Sequence, residues 1–357
     1  MSVFASPRRP GFLASGGWVL LLAMGLVGAI TVAHLAKALR HRSRATGDGR
    51  DPRSYGFAMQ PALVPTEAVV AAGLPKDGLP ALHDPRVWTL AEFDAAAAAR
   101  RRGKLLVGED RVIGVVLGGK ARAYPLRVLV WHEVVNDSLG GVPILVSYHA
   151  LSGAAVVARR PPGKVFGFSG LLLDSSALVY ERTPAGTGES LWSPLLLAAV
   201  TGPAVGTELE PLPSALVTWR RWRENRPDTT VLAPDPRLVK EYRREPYVSY
   251  LGNDELRFPV RRELPPELGL GRKTPVLAVR LGGRWLAVPH PVAARRASAG
   301  GVATLEHAGT KLEVRLETRP PTLELVGSEL PTVHAFAFAW HALHPDDTDW
   351  LPFPPSQ

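Results

Sequence analysis

"VIGVVLGGKARAYPL", residues 112 to 126, decides the fold. Two apolar, β-branched runs flank Gly118-Gly119, and a Gly-Gly pair supplies the positive φ that a tight hairpin turn needs. The stretch therefore predicts a β-hairpin. It also occurs twice. "VLAVRLGGRWLAVPH", residues 276 to 290, aligns with it without a gap and matches at seven of fifteen positions.

Outward from the first hairpin, "RVLVWHEVVND" (127–137) spaces its apolar residues helically and predicts a helix. "GVPILVSYH" (141–149) returns to strand, giving the order strand, strand, helix, strand. "AAVVARR", "KVFGFSGLLL" and "SALVYER" continue as strands, and "LVTWRRWRENRPDT" (216–229) is a short helix stopped by Pro227. Beyond the second hairpin, Gly300-Gly301-Val302 echoes Gly140-Gly141-Val142. "WHALHPDDT" from Trp340 echoes "WRENRPDT" from Trp222, with the same spacing from Trp to Pro. Three echoes in one order predict a duplicated unit. The expected body is α+β, with short, mostly antiparallel strands and a few helices. Its first lobe is 86–262 and its second, degenerate lobe 263–357. Trp219, Trp222 and Trp340 are expected in the core.

The duplication separates folding from chemistry. Where the first copy reads "RVLVWHEVVND", the second reads "PVAARRASA". The hairpin frame is kept and the polar set is not, so a site is expected in the first lobe.

Composition narrows the class. A 357-residue chain with 46% hydrophobic and 21% charged residues builds a packed core rather than a disordered chain. Gly and Pro, 34 each, favour many short elements. The absence of cysteine excludes disulfides, thiolate metal sites, iron–sulfur clusters and cysteine nucleophiles. Of the 42 basic and 33 acidic residues, residues 1–50 hold seven and one, leaving 35 and 32 for the rest. The +9 charge is therefore concentrated at the N-terminus, and no nucleic-acid partner is expected.

Trp18 to Ala36 is an uncharged apolar run that would span roughly 28 Å as a helix, close to a bilayer's hydrocarbon thickness. It predicts a transmembrane anchor within residues 1–44, with a cleavable signal peptide, whose apolar region is usually shorter, as the alternative. Residues 45–85 follow as a Pro/Gly-rich linker that wraps onto the body. Arg8 and Arg9 precede the run, and Lys37, Arg40, Arg42 and Arg44 follow it. That slight excess after the run would favour a cytoplasmic body.

"ARAYPLRVLVWHEVVNDSLGGVPILVSY", "FGFSGLLLDSSALVYER", "SLWSP" and "TGPAVGTELEPLPSALVTWRRWRENRPDTTVL" resemble the bacterial and archaeal domain of unknown function family 3179, from about residue 74 to 350. The resemblance implies a frequently exported or membrane-attached protein. A single-pass protein of the bacterial cytoplasmic membrane with an extracytoplasmic, periplasmic body is therefore expected, against the charge rule. The family's Trp-His-Glu-x-x-Asn-Asp is kept as Trp131, His132, Glu133, Asn136 and Asp137. Relatives read Tyr-Cys-Pro-Leu-Cys-Gly where this chain reads Tyr148-His149-Ala150-Leu151-Ser152-Gly153. Two thiolates on one turn make a redox or soft-metal device, and that chemistry is lost here.

On the expected helix, His132 and Asn136 share one face and Glu133 and Asp137 another. Such a set suits a divalent metal ion or a substrate, with His132 as ligand or general base. In the plainer alternative both acids are solvated and His132 bonds a neighbouring strand. His149 either replaces a cysteine as an imidazole ligand or fills a vacated position. With His132 and Asp137 it would complete a two-histidine, one-carboxylate metal site. Ser152 lacks a nucleophile elbow and stands with Trp131, Asn136 and Tyr148 as a ligand contact. Arg182 either clamps an anion or pairs with Glu133 or Asp137. Ser169 of "FGFSG" and Ser190 and Trp192 of "SLWS" mark turns at a pocket rim. Three functions stay open: a small-molecule or metal-binding module, a hydrolase or lyase using His132 with Glu133 or Asp137, and a structural or interaction protein.

Overall fold

The computed structural model describes residues 19, 22–32, 46–99 and 105–354. Residues 22–32 are helical and exposed. Among the described residues no helix is long and apolar enough to cross a membrane, and most of the remaining expected span lies outside them.

The body begins with β1 (Val69–Ala71), β2 (Leu82–His83) and β3 (Val87–Thr89). The helix Leu90–Ala98 follows, its first turn closed by a capping box between Thr89 and Glu92. The expected hairpin is β4 (Arg111–Leu117) and β5 (Lys120–Pro125), with Gly118 and Gly119 at φ 54° and 71°. After the helix Leu126–Leu129 come β6 (Val134–Leu139), β7 (Val142–His149) and β8 (Ala154–Arg159). Next are β9 (Phe166–Leu173), β10 (Ser176–Glu181), β11 (Leu191–Ser193), β12 (Ala198–Ala199) and β13 (Glu210–Pro211). β14 (Ala215–Thr218), the helix Trp219–Asn225 and β15 (Thr230–Leu232) close the first repeat. The second contains β16 (Pro275–Leu281), β17 (Arg284–Pro289), the helix His290–Arg296, β18 (Val302–His307), β19 (Thr310–Thr318) and β20 (Pro321–Val326). It ends with β21 (Thr332–Phe336), the helix Ala337–Leu343 and β22 (Thr348–Trp350).

The helix expected over 127–137 is one turn long. Val134 and Val135 belong to β6 and pack into two different cores, one on each side of the sheet. A strand buried on both faces is continuously apolar, and its spacing does not separate it from a buried helix. His132 and Asn136 therefore share no helical face, and neither do Glu133 and Asp137.

The duplication is present, but its halves exchange strands. β16 to β22 repeat β4–β8, β14 and β15 in order. One sheet runs β2-β6-β7-β8-β21-β16-β17-β22 and the other β18-β19-β20-β14-β4-β5-β15-β3. Each takes its meander (β6–β8 or β18–β20) from one repeat and its hairpin with two further strands from the other. β5 pairs in parallel with β15, and β17 with β22, as equivalents should. The strands of 111–232 and 275–350 are thus repeats along the chain that interleave in space. The insertion β9–β12 joins β1 in a third, five-stranded sheet, and β13 pairs with β8.

The registers also realign one echo. Gly140-Gly141 turns between β6 and β7, and its counterpart between β18 and β19 is Ala308-Gly309. Val134 pairs with Ser147 as Val302 pairs with Arg315, so Gly300-Gly301 stands opposite His132-Glu133. The tryptophan echo is structural. Trp222 Nε1 donates to Thr229 Oγ1 at 2.9 Å and Trp340 Nε1 to Thr348 Oγ1 at 3.0 Å. Trp219, Trp222 and Trp340 are all buried, as expected.

Candidate functional site

Most of the motif's polar residues hold the fold together. His132 is buried, with Nδ1 2.6 Å from the Pro80 carbonyl oxygen and Nε2 2.7 Å from the Tyr242 hydroxyl. A carbonyl only accepts, so Nδ1 carries the proton and Nε2 accepts from Tyr242. Burial lowers its pKa, against a raising hydrogen bond to Pro80. Both nitrogens are engaged, and His132 is neither a free ligand nor a free base.

Asn136 behaves as a piece of strand. Its side-chain oxygen accepts from Phe166 N at 2.7 Å and its nitrogen donates to Phe166 O at 2.8 Å and to Leu82 O at 3.3 Å. It stitches β6 to β2 and β9. Asp137 accepts from Arg122 Nη1 at 2.6 Å, Tyr124 OH at 2.7 Å and Ser138 N at 2.7 Å. It stitches β6 to β5, across the two large sheets.

His149 and Ser152 do meet, Nδ1 to Oγ, at 2.9 Å. Both are buried, and burial pushes the imidazole down to about 3, so it is neutral. His132, His149 and Asp137 do not converge, because each is held by partners of its own. Among the described residues no three His, Asp or Glu side chains form a metal-ligand set.

The remaining candidates are structural. Arg182 pairs with Asp77 at 2.6 Å, not with Glu133 or Asp137. Ser169 donates to Leu178 O and accepts from Leu171 N at 3.0 Å, bridging an irregular stretch of β9. Trp192 lies in the core, edge-on to Phe166 at 5.3 Å. Ser190 accepts from Ala204 N at 2.8 Å. Neither side chain of "SLWS" lines a rim.

Glu133 differs from all of these. It is 6% exposed, and its Oε2 has no hydrogen-bond partner. Burial alone pushes its carboxyl up to about 8, so it is mostly protonated at neutral pH. Its backbone is left-handed at φ 58°, where a non-glycine residue is strained by roughly 1 kcal/mol. The equivalent residue of the second repeat is Gly301.

Burial raises the pKa of Tyr148 and of Tyr247, the latter to about 12, and ionised Glu133 adds a smaller raising effect on both. Both tyrosines line a cleft of about 210 Å³, together with Val130, three arginines (Arg111, Arg127 and Arg244) and three acids, of which Glu109 pairs with Arg220 and Glu245 lies 4.0 Å from Arg127. Arg127 is neutralised by Asp110 at 2.7 Å. The Arg244 guanidinium lies 5.8 Å from the Trp131 ring centroid. The Arg111 side chain makes no ion pair or hydrogen bond among the described residues. Arg111 and Tyr148 stand where the second repeat has Pro275 and Leu316. Larger clefts, of about 600 and 790 Å³, hold none of the motif side chains.

Arg111, Arg244 and Tyr247 are absent from the sequence-level candidates. Arg111 left one trace there: it abuts the repeated hairpin, and the matching position is a proline.

The family model described as "Protein of unknown function (DUF3179)" matches residues 76–321. No curated protein and no solved structure matches the chain. With well over half its length inside that match, the chain belongs to the DUF3179 family.

Proposed function

We propose that this protein is a binding module for a small organic anion, held on a membrane by the N-terminal segment with its body on the extracytoplasmic side. Arg111 carries the reading: a guanidinium without a direct ion-pair partner in a cleft is a receptor for a carboxylate. Around it Tyr148, Tyr247 and Val130 offer ring and aliphatic surface to the ligand's body. Behind the tyrosines, the protonated Glu133 can donate one hydrogen bond, as a neutral carboxyl does in an apolar site. Three polar residues of one repeat stand where the other has proline, glycine and leucine, and that asymmetry supports a ligand role over a folding role.

The test is calorimetric titration of the full-length chain in detergent with benzoate, and with benzamide as its uncharged analogue. Benzoate should bind, benzamide should bind far more weakly, and Arg111→Ala should abolish the difference. Equal binding of both, or of neither, removes the reading.

The raised Glu133 carboxyl favours a second reading, an acid or base catalyst acting on the bound anion. It requires turnover that Glu133→Gln abolishes while benzoate affinity persists.

A further inference from the structure

We infer that a small cavity between Arg111 and His334 is a binding site for one ordered water, through which His334 positions Arg111. The functional consequence rests on the cleft reading above; the water site itself does not.

The cavity measures about 20 Å³, and its lining includes Arg111, Leu216, Pro275 and His334 beside Gly153, Phe336 and Thr322, whose hydroxyl is held by Glu317. A single water needs roughly 10–15 Å³. Arg111, Leu216, Pro275 and His334 are two pairs of equivalents. Leu216 faces Ile113 on β4 as His334 faces Leu277 on β16, and Arg111 opens β4 as Pro275 opens β16. The cavity therefore sits where the two repeats meet. At each pair of positions one repeat has an apolar residue and the other a polar one.

His334 is 3% exposed and its Nε2 has no partner. Burial lowers its pKa, against a smaller raising contribution from the Ser214 backbone, so the ring is neutral and Nε2 can accept a hydrogen bond. Arg111 lines the same cavity, and a guanidinium can only donate. A water accepts from the guanidinium and donates to Nε2, and so satisfies both groups. Arg111 also lines the ligand cleft. Tethering it through the water removes rotamer freedom that anion binding would otherwise have to remove.

The test has two arms, both on the full-length chain. A high-resolution crystal structure should show a water within hydrogen-bond distance of His334 Nε2, lost in His334→Leu. Calorimetry should show benzoate affinity reduced about tenfold by His334→Leu and restored to within about twofold by His334→Gln, which keeps an acceptor. His334→Leu should fold, because Leu216 fills the equivalent place. A dry cavity in the wild type overturns the water site, and so does a water that persists in His334→Leu. Equal weakening by the Gln and Leu variants overturns the positioning role. If the water is present but the wild type ignores benzoate, the cleft reading falls and the water site stands.

Discussion

Glu133 and Gly301 occupy one place in the two repeats. Their backbones are left-handed at φ 58° and 70°, and their carbonyls accept from the neighbouring strand, from Tyr148 N at 3.0 Å and from Leu316 N at 2.9 Å. One repeat fills the position with the residue that suits it. The other keeps a strained residue with a buried, unpaired carboxyl. Glu133→Gly should therefore stabilise the protein at pH 8 by about 1–3 kcal/mol while weakening benzoate binding by the loss of one hydrogen bond. Urea unfolding beside calorimetry measures both. A destabilised variant would show that Glu133 serves the fold.

Glu133 also sets a basic limit on stability. The unfolded chain releases this proton near 4.5 and the folded chain only near 8. Between those values the unfolded state binds fewer protons, so stability is complete below the lower value and falls as pH rises through the upper one. The slope approaches about 1.4 kcal/mol per pH unit. Glu133→Gln should remove this contribution, seen as a flatter dependence of the urea midpoint on pH from 5 to 8.

His149 and His334 set the acid limit. Burial lowers them from 6.5 to about 3 and about 4. Each contributes stability that is present above 6.5 and lost as pH falls toward the folded value. The wild type should lose stability steeply below pH 6, and His334→Leu should lose it less steeply. Thermal melts across pH 4 to 7 decide this.

The His149–Ser152 contact allows the relatives' thiol pair to be rebuilt. With His149 4% and Ser152 0% exposed, a H149C/S152C variant should react with a bulky aromatic disulfide reagent slowly when native and fast in denaturant. Fast native labelling would mean that this turn opens to solvent.

Asn136→Ala should cost about 2–4 kcal/mol, since it strips both backbone hydrogen bonds of Phe166 in a buried place. Benzoate affinity should be unchanged. A variant that binds poorly yet melts normally would return Asn136 to the site.

The hairpin and the duplication were legible because Gly118-Gly119 and Gly282-Gly283 punctuate the chain and the alignment needs no gap. The helix over 127–137 was misread because β6 is buried on both faces. Strand exchange leaves no trace in sequence order: β8 pairs with β21 through contacts far apart in the chain. The site was half legible. Glu133 was named, but with His132 and Asp137 as companions, because a helical spacing was assumed. Its actual neighbours, Tyr148, Tyr247 and Arg111, come from separate segments that only the tertiary fold assembles.

Strand exchange has a mechanical consequence. Because each large sheet draws strands from both repeats, the peptide link between them carries little of the cohesion. A chain cut once in the 252–270 connection should stay together as two clasped fragments. Neither fragment would be expected to fold alone, since each would present half-sheets whose partners are missing.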